Sequence, residues 1–241
     1  MTWSLLARDE TGRIGVAIAS RFFAVGALCI HTRRGVGAVA TQALMNPLYG
    51  PAGLSLLAQG HAPAQVVAAL LATDTGQAQR QVHVLDARGM AAAHTGAACV
   101  DWCGQAQFNG YSVAGNMLAG PQVLRATATA FAASAGQALA QRLISAMAAG
   151  EAAGGDKRGK QSAALRIHGD EDHAELDLRV DDHLEPMAEL QRLHDVSLQR
   201  FQPFVACLPG RHNPLGELDR SRIEARIEAF HARRSPDALM P

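Results

Sequence analysis

A layered α+β sandwich is the fold class this sequence predicts, on three observations. Short apolar runs recur in pairs around tight turn signals, as hairpins do. Helical pairs interrupt these runs, and the strand–helix–strand alternation that builds a parallel sheet is missing. A chain of 241 residues, 48% hydrophobic and 18% charged, is also long enough to bury a sizeable core.

The elements follow in order. Trp3 to Ala7 is short and apolar, Asp9-Glu-Thr-Gly12 is a turn, and Ile14 to Ala19 is the near-continuous apolar run of a strand buried on both faces. After Phe22 to Gly26, a second hairpin is predicted from Ala27 to His31 and Val36 to Thr41 around Thr32-Arg-Arg-Gly35. Pro51 opens a helix stopped by Gly60, and Pro63 opens another in which Val66, Val67, Leu70 and Leu71 share one face. Val82 to Leu85 and Met90 to Thr95 form a third hairpin, and Tyr111 to Leu118 a further strand. Pro121 to Ala149 is alanine-rich and reads as one long helix or two parted near Gly136. A glycine-bracketed loop, Gly154 to Gly159, leads into strands at Ala163 to Ile167 and Ala174 to Val180. Residues 1–183 are expected to form this sandwich. Residues 184–241 are expected to be a helical appendage, with helices opening at Pro186 and at Arg220, suited to packing or to a dimer or larger homo-oligomer.

Lys plus Arg (22) balance Asp plus Glu (22), and no basic patch interleaved with aromatics occurs, so nucleic-acid binding is not expected. Neither a signal-peptide pattern nor an apolar run of membrane length is found, which makes the cytoplasm the expected compartment and a membrane partner unexpected. The four cysteines are scattered and read as reduced thiols. Asp177, Asp181, Asp182 and His183 have the donor types of a metal site, but a charged strand end explains them, so neither metal nor cofactor is expected.

Thr2 stands directly behind the initiator methionine. Removal of Met1 would place a free α-amine, with an ordinary pKa of about 7.7–8.0, beside a hydroxyl on one residue. That pair is a nucleophile with its own base.

Six motifs then occur in one order: Ser20-Arg-Phe-Phe-Ala-Val-Gly26, Gly35-Val-Gly-Ala-Val-Ala-Thr-Gln-Ala43, Asn46-Pro-Leu-Tyr-Gly50, Gly115-Asn-Met-Leu-Ala-Gly120, Gly154-Gly-Asp-Lys-Arg-Gly-Lys-Gln-Ser-Ala163 and Asp177-Leu-Arg-Val-Asp-Asp-His183. Together they resemble the bacterial family called domain of unknown function 1028, over Thr2 to Leu193. That resemblance implies a four-layer αββα sandwich of the N-terminal-nucleophile hydrolase kind. Similarity to the proteasome-type peptidases of the same superfamily implies roles residue by residue. Thr2 matches their nucleophile, Ser20 and Arg21 fall in a stretch after their second strand, and Gln42-Ala43 falls where a backbone N–H forms their oxyanion hole. Asn116 matches a serine beside the nucleophile's amine, and Asp156 the aspartate that orients it. Their third-strand lysine has no counterpart in His31-Thr-Arg-Arg-Gly-Val36.

Catalytic candidates are therefore Thr2, Asn116, Asp156 and Gln42. For substrate binding, Arg21 has the fork geometry for a carboxylate, although an ion pair with Asp156 or Asp181 would also satisfy it. Asn46 and Tyr49, with Gln42, make a polar cluster in an apolar stretch, where helix capping by Asn46 is the other reading. Ser20, Thr95, Arg158 and Gln161 complete the set, Thr95 also reading as a turn residue. The expected activity is hydrolysis of a C–N bond in a small amide, a ureido compound or a peptide. The alternatives are an inactive sandwich that binds a small metabolite, or an assembly protein acting through its helical tail.

Overall fold

The computed structural model describes residues 2–234. The chain divides into two compact units, Met1–Leu190 and Gln191–Pro241.

The first unit contains two antiparallel sheets. The larger runs β10-β9-β2-β1-β8-β7, with β1 at Thr2–Arg8, β2 at Ile14–Ser20, β7 at Gly104–Phe108, β8 at Tyr111–Asn116, β9 at Ser162–His168 and β10 at Leu176–Val180. The smaller runs β3-β4-β5-β6, with β3 at Ile30–Arg33, β4 at Gly37–Ala43, β5 at Arg80–Asp86 and β6 at Ala91–Thr95. Helices α1 (Tyr49–Ala58) and α2 (Pro63–Ala72) cover the smaller sheet, while α3 (Gln122–Ala133) and α4 (Leu139–Ala152) cover the larger. The two sheets face one another, which completes the four-layer α+β sandwich.

The cores follow from strand alternation. Between the sheets, Leu6, Val16, Ile18, Ile30, Ala38 and Leu85 form one apolar cluster, and under α1 and α2 lies another around Val39, Leu54, Val66, Leu70 and Val84. Residues of β2 are buried on both faces because α4 covers one side and the smaller sheet the other, as its unbroken apolar run requires.

Most expected elements are present with ends moved by one or two residues. The alanine-rich stretch is two helices, parted by a turn in which Gly136 takes φ +88°. A 3-10 turn, Val25–Ala27, occupies the predicted start of β3, following Ala24 in the left-handed region (φ 50°).

In the second unit, α6 (Phe201–Val205) packs on α7 (Arg220–Arg234). Helix α5 (Pro186–Gln199) begins in the first unit, so the division falls within it at Leu190. Among the described residues no helix is long and apolar enough to cross a membrane.

Candidate functional site

Thr2 opens the central strand of the larger sheet. Its register partners are Ser20 on β2 and Asn116 on β8, so two predicted site residues flank it as direct neighbours. The Thr2 hydroxyl lies 3.1 Å from Ser20 Oγ. Its carbonyl is approached by two side-chain amides, Asn116 Nδ2 at 3.4 Å and Gln42 Nε2 at 3.5 Å.

Beneath Thr2 a chain of buried polar groups crosses the space between the sheets. Gln42 Nε2 donates to Gln81 Oε1 at 2.8 Å, and Asn116 Nδ2 donates to the same oxygen at 3.1 Å. This fixes the orientation of both amides. Gln42 Oε1 is then left to accept from Ser4 Oγ–H at 2.8 Å. Ser4 has a single proton, so at its 2.8 Å contact with His83 Nε2 it must accept. His83 is therefore the neutral Nε2–H tautomer, and its bare Nδ1 accepts from Ser112 Oγ at 2.9 Å. At the other end, Gln81 Nε2 donates to Thr95 Oγ1 at 2.8 Å, and Thr95 passes the sense on to Gln105 Oε1 at 2.8 Å. Every bond in the sequence Ser112, His83, Ser4, Gln42, Gln81, Thr95, Gln105 points the same way.

The tautomer agrees with the electrostatics: complete burial lowers the His83 pKa from 6.5 to about 3. In the unfolded chain the ring titrates near 6.5, so as the pH falls the unfolded state takes up the proton first. The stability from a neutral His83 is complete above the unfolded value and is lost as the pH drops toward the folded one. It is expected to shrink by roughly 1 kcal/mol per pH unit between about pH 6 and pH 4.5. His31 and His168, also lowered by burial, act in the same direction. The measurement is thus the difference in pH slope, by urea denaturation, between the native chain and His83→Gln.

Asp156 reaches this end of β1 from the loop after α4. Gly154 and Gly155 turn the chain sharply with φ +118° and +45°, a backbone path that favours glycine. The carboxylate, 2% exposed, accepts from the Arg21 backbone N–H (2.8 Å), the Arg158 N–H (2.8 Å) and the Arg158 guanidinium (3.2 Å). Asp156 therefore ties its loop to the residue after Ser20. A cavity of ≈ 140 Å³ adjoins it, walled by Trp3, Ser20, Glu151, Asp156 and Lys160 among others. A more open cavity of ≈ 380 Å³ shares Lys160 and adds Arg21, Gln161 and Asp182. Gln161 Nε2 bonds Asp182 there at 3.1 Å.

The remaining candidates lie elsewhere. Asn46 and Tyr49 bind Asp74, whose Oδ2 accepts from Tyr49 O–H (2.7 Å), Arg80 Nε (2.9 Å) and Asn46 Nδ2 (3.2 Å). Arg80 and Tyr49 hold that carboxyl well below its ordinary range. Arg80 and Gln81 are consecutive on β5, so alternation sends one to the helix side of the sheet and the other between the sheets. Tyr49→Phe is accordingly expected to cost about 1–2 kcal/mol in chemical denaturation. Among the described residues no group of three metal-ligating side chains could hold an ion. Asp177 pairs with Arg166 and Asp181 with Arg179.

Ser4, Gln81, His83 and Ser112 belong to no motif, yet they carry a signal. Thr2 and Ser4, Gln81 and His83, and Ser112 and Asn116 each recur at even spacing within apolar strands, which puts polar groups on one buried face. Two strand ends beside Thr2 also hold non-glycine residues in the left-handed region, Ala43 (φ 67°) after Gln42 and Met117 (φ 53°) after Asn116. Such backbone is costly and tends to gather at functional sites.

The fold and site define a four-layer α+β sandwich with a polar seam at the head of its central strand. The chain belongs to the family of unknown function DUF1028, whose model matches residues 2–190. It is similar to the crystal structure of protein SPO2555 from Silicibacter pomeroyi, of the same family, at 31% identity and a TM-score of 0.83, covering 90% of this chain and 99% of that one. It also matches Anbu (ancestral beta-subunit) from Yersinia bercovieri at 13% identity and a TM-score of 0.40, over 86% of this chain and 98% of that one. No curated protein matches the chain.

Proposed function

We propose that this chain is an N-terminal-nucleophile hydrolase that cleaves a C–N bond of a small amide, a ureido compound or a short peptide, with Thr2 as nucleophile once Met1 is removed. Met1 lies outside the described residues. The observation that carries the reading is the setting of Thr2: its hydroxyl is 3.1 Å from Ser20 Oγ, and its carbonyl is held by two buried amides that share one acceptor.

The chemistry runs as follows. The freed α-amine takes the hydroxyl proton, directly or through Ser20 Oγ, and Thr2 Oγ1 bonds to the substrate carbonyl carbon. The same proton then goes to the leaving nitrogen as the C–N bond breaks, and water hydrolyses the resulting ester. Both N–H groups of the Gln42 amide and of the Asn116 amide are committed to Gln81 Oε1 and the Thr2 carbonyl. These amides therefore position the nucleophile, and stabilisation of the oxyanion falls to backbone N–H groups at the Gln42-Ala43 strand end. Asp156 ties its loop to the backbone of Arg21, the residue after Ser20, which is the register partner of Thr2.

Intact mass of the purified chain, followed by reaction with a β-lactone acylating agent and peptide mapping, tests this. The expected result is loss of Met1 and a single acyl group on Thr2. A chain that retains Met1, or that is acylated elsewhere, would overturn it.

A further inference from the structure

Glu151, in the wall of the inner cavity, carries an unmet acceptor. Glu151 Oε1 pairs with Lys160 Nζ at 3.0 Å, but Glu151 Oε2 is buried and has no hydrogen-bond partner among the described residues. A buried carboxylate oxygen left in that state is costly, and an N–H donor is what relieves it. The charge of that donor can be read from the surroundings. Lys160 is shared between Glu151 and Glu185, leaving this cluster one carboxylate in excess, while Asp156 is matched by Arg158. A positively charged N–H is favoured.

The outer cavity has the converse feature. Arg21 lines it, and among the described residues its guanidinium has neither an ion-pair nor a hydrogen-bond partner, since only its backbone N–H is bound, to Asp156. A free guanidinium fork in a cavity matches a carboxylate bidentately. Asp182, in the same wall, is occupied by Gln161. Lys160 belongs to both cavities, so a ligand with one end at Glu151 and the other at Arg21 lies across it. Ala19, Pro186 and the Trp3 ring carbons give the inner cavity mostly apolar walls, Trp3 Nε1 being a second buried group without a partner among the described residues, and its ≈ 140 Å³ admits only a small side chain.

We propose that these two cavities form a binding site for a short peptide with both termini free, its ammonium at Glu151, its carboxylate at Arg21 and a small apolar first residue in the inner cavity. Thr2 lines neither cavity, although its neighbour Ser20 walls the inner one, so binding there does not require that Thr2 react.

Isothermal titration of the full chain bearing Thr2→Ala, which cannot turn a peptide over through Thr2, with di- and tri-alanine tests it. At least one of the two is expected to bind, and N-acetylation or C-terminal amidation of that peptide should each weaken binding about tenfold or more. Arg21→Ala should remove the discrimination against the amidated peptide and keep that against the acetylated one, and Glu151→Gln should do the reverse. No binding of either peptide, or blocked peptides that bind as well as free ones, would overturn the proposal. The comparison of blocked and free peptides on the Thr2→Ala chain stands even if the Glu151 variant fails to fold. Binding with these preferences, alongside an absence of acylation at Thr2 in the native chain, would leave the peptide site in place and remove the hydrolase reading.

Discussion

Thr2→Ala, in a chain from which Met1 has been removed, is expected to lower the rate of the proposed C–N bond hydrolysis by a factor on the order of 10⁴ or more. The alanine keeps the α-amine and the strand but has no oxygen to form the ester, so whatever remains is catalysis by the surrounding dipoles. Thr2→Ser is the informative companion. It retains the hydroxyl and its 3.1 Å relation to Ser20 Oγ, and should keep a measurable rate. A small-amide and peptide panel read by amine release is the measurement. Equal rates for Thr2→Ala and the native chain would remove Thr2 from the chemistry.

Gln81→Leu is expected to have the largest effect on stability, a loss of about 3 kcal/mol or more in urea denaturation. Gln81 Oε1 accepts from both Gln42 and Asn116, and its Nε2 lies within hydrogen-bond distance of Thr95 Oγ1, Gly104 O and Gly115 O. Leucine fills a similar volume but leaves several fully buried donors and acceptors without partners, each costing about 1–3 kcal/mol. The same variant should slow acylation of Thr2, because Gln42 and Asn116 would lose the oxygen that aims them at the Thr2 carbonyl. A variant as stable as the native chain would mean that water replaces the amide.

The fold was legible where local chemistry decides it. Turn residues such as Asp9-Glu-Thr-Gly12 and Asp86-Ala-Arg-Gly89, and apolar runs such as Ile14 to Ala19, placed the hairpins within a residue or two. Strand β7 escaped because Gly104-Gln-Ala-Gln-Phe108 is polar: it is an edge strand, and Gln105 turns toward the buried network. Helix α6, five residues long, is too short to show a period.

The site divides in the same way. Thr2, Ser20, Asn116, Gln42 and Asp156, residues that the resemblance singles out, lie together at the head of β1. Asn46 and Tyr49 were attractive because polar residues in an apolar stretch need a reason. That reason is Asp74, 25 residues beyond Tyr49, which no local pattern reveals. The roles of Gln81 and His83 depend on which strands face one another across the sandwich, and that pairing is tertiary.

The single sense of the buried hydrogen-bond sequence has a further consequence. A proton arrangement that runs from Ser112 to Gln105 cannot be reversed one link at a time, since turning any amide sets two donors or two acceptors against each other. The seven side chains therefore act as one structural unit. A change at one link is tolerated best when a second compensates it, so Ser4 and Ser112, on the paired strands β1 and β8 with their hydroxyls bridged by His83, are expected to tolerate joint substitution better than single substitution.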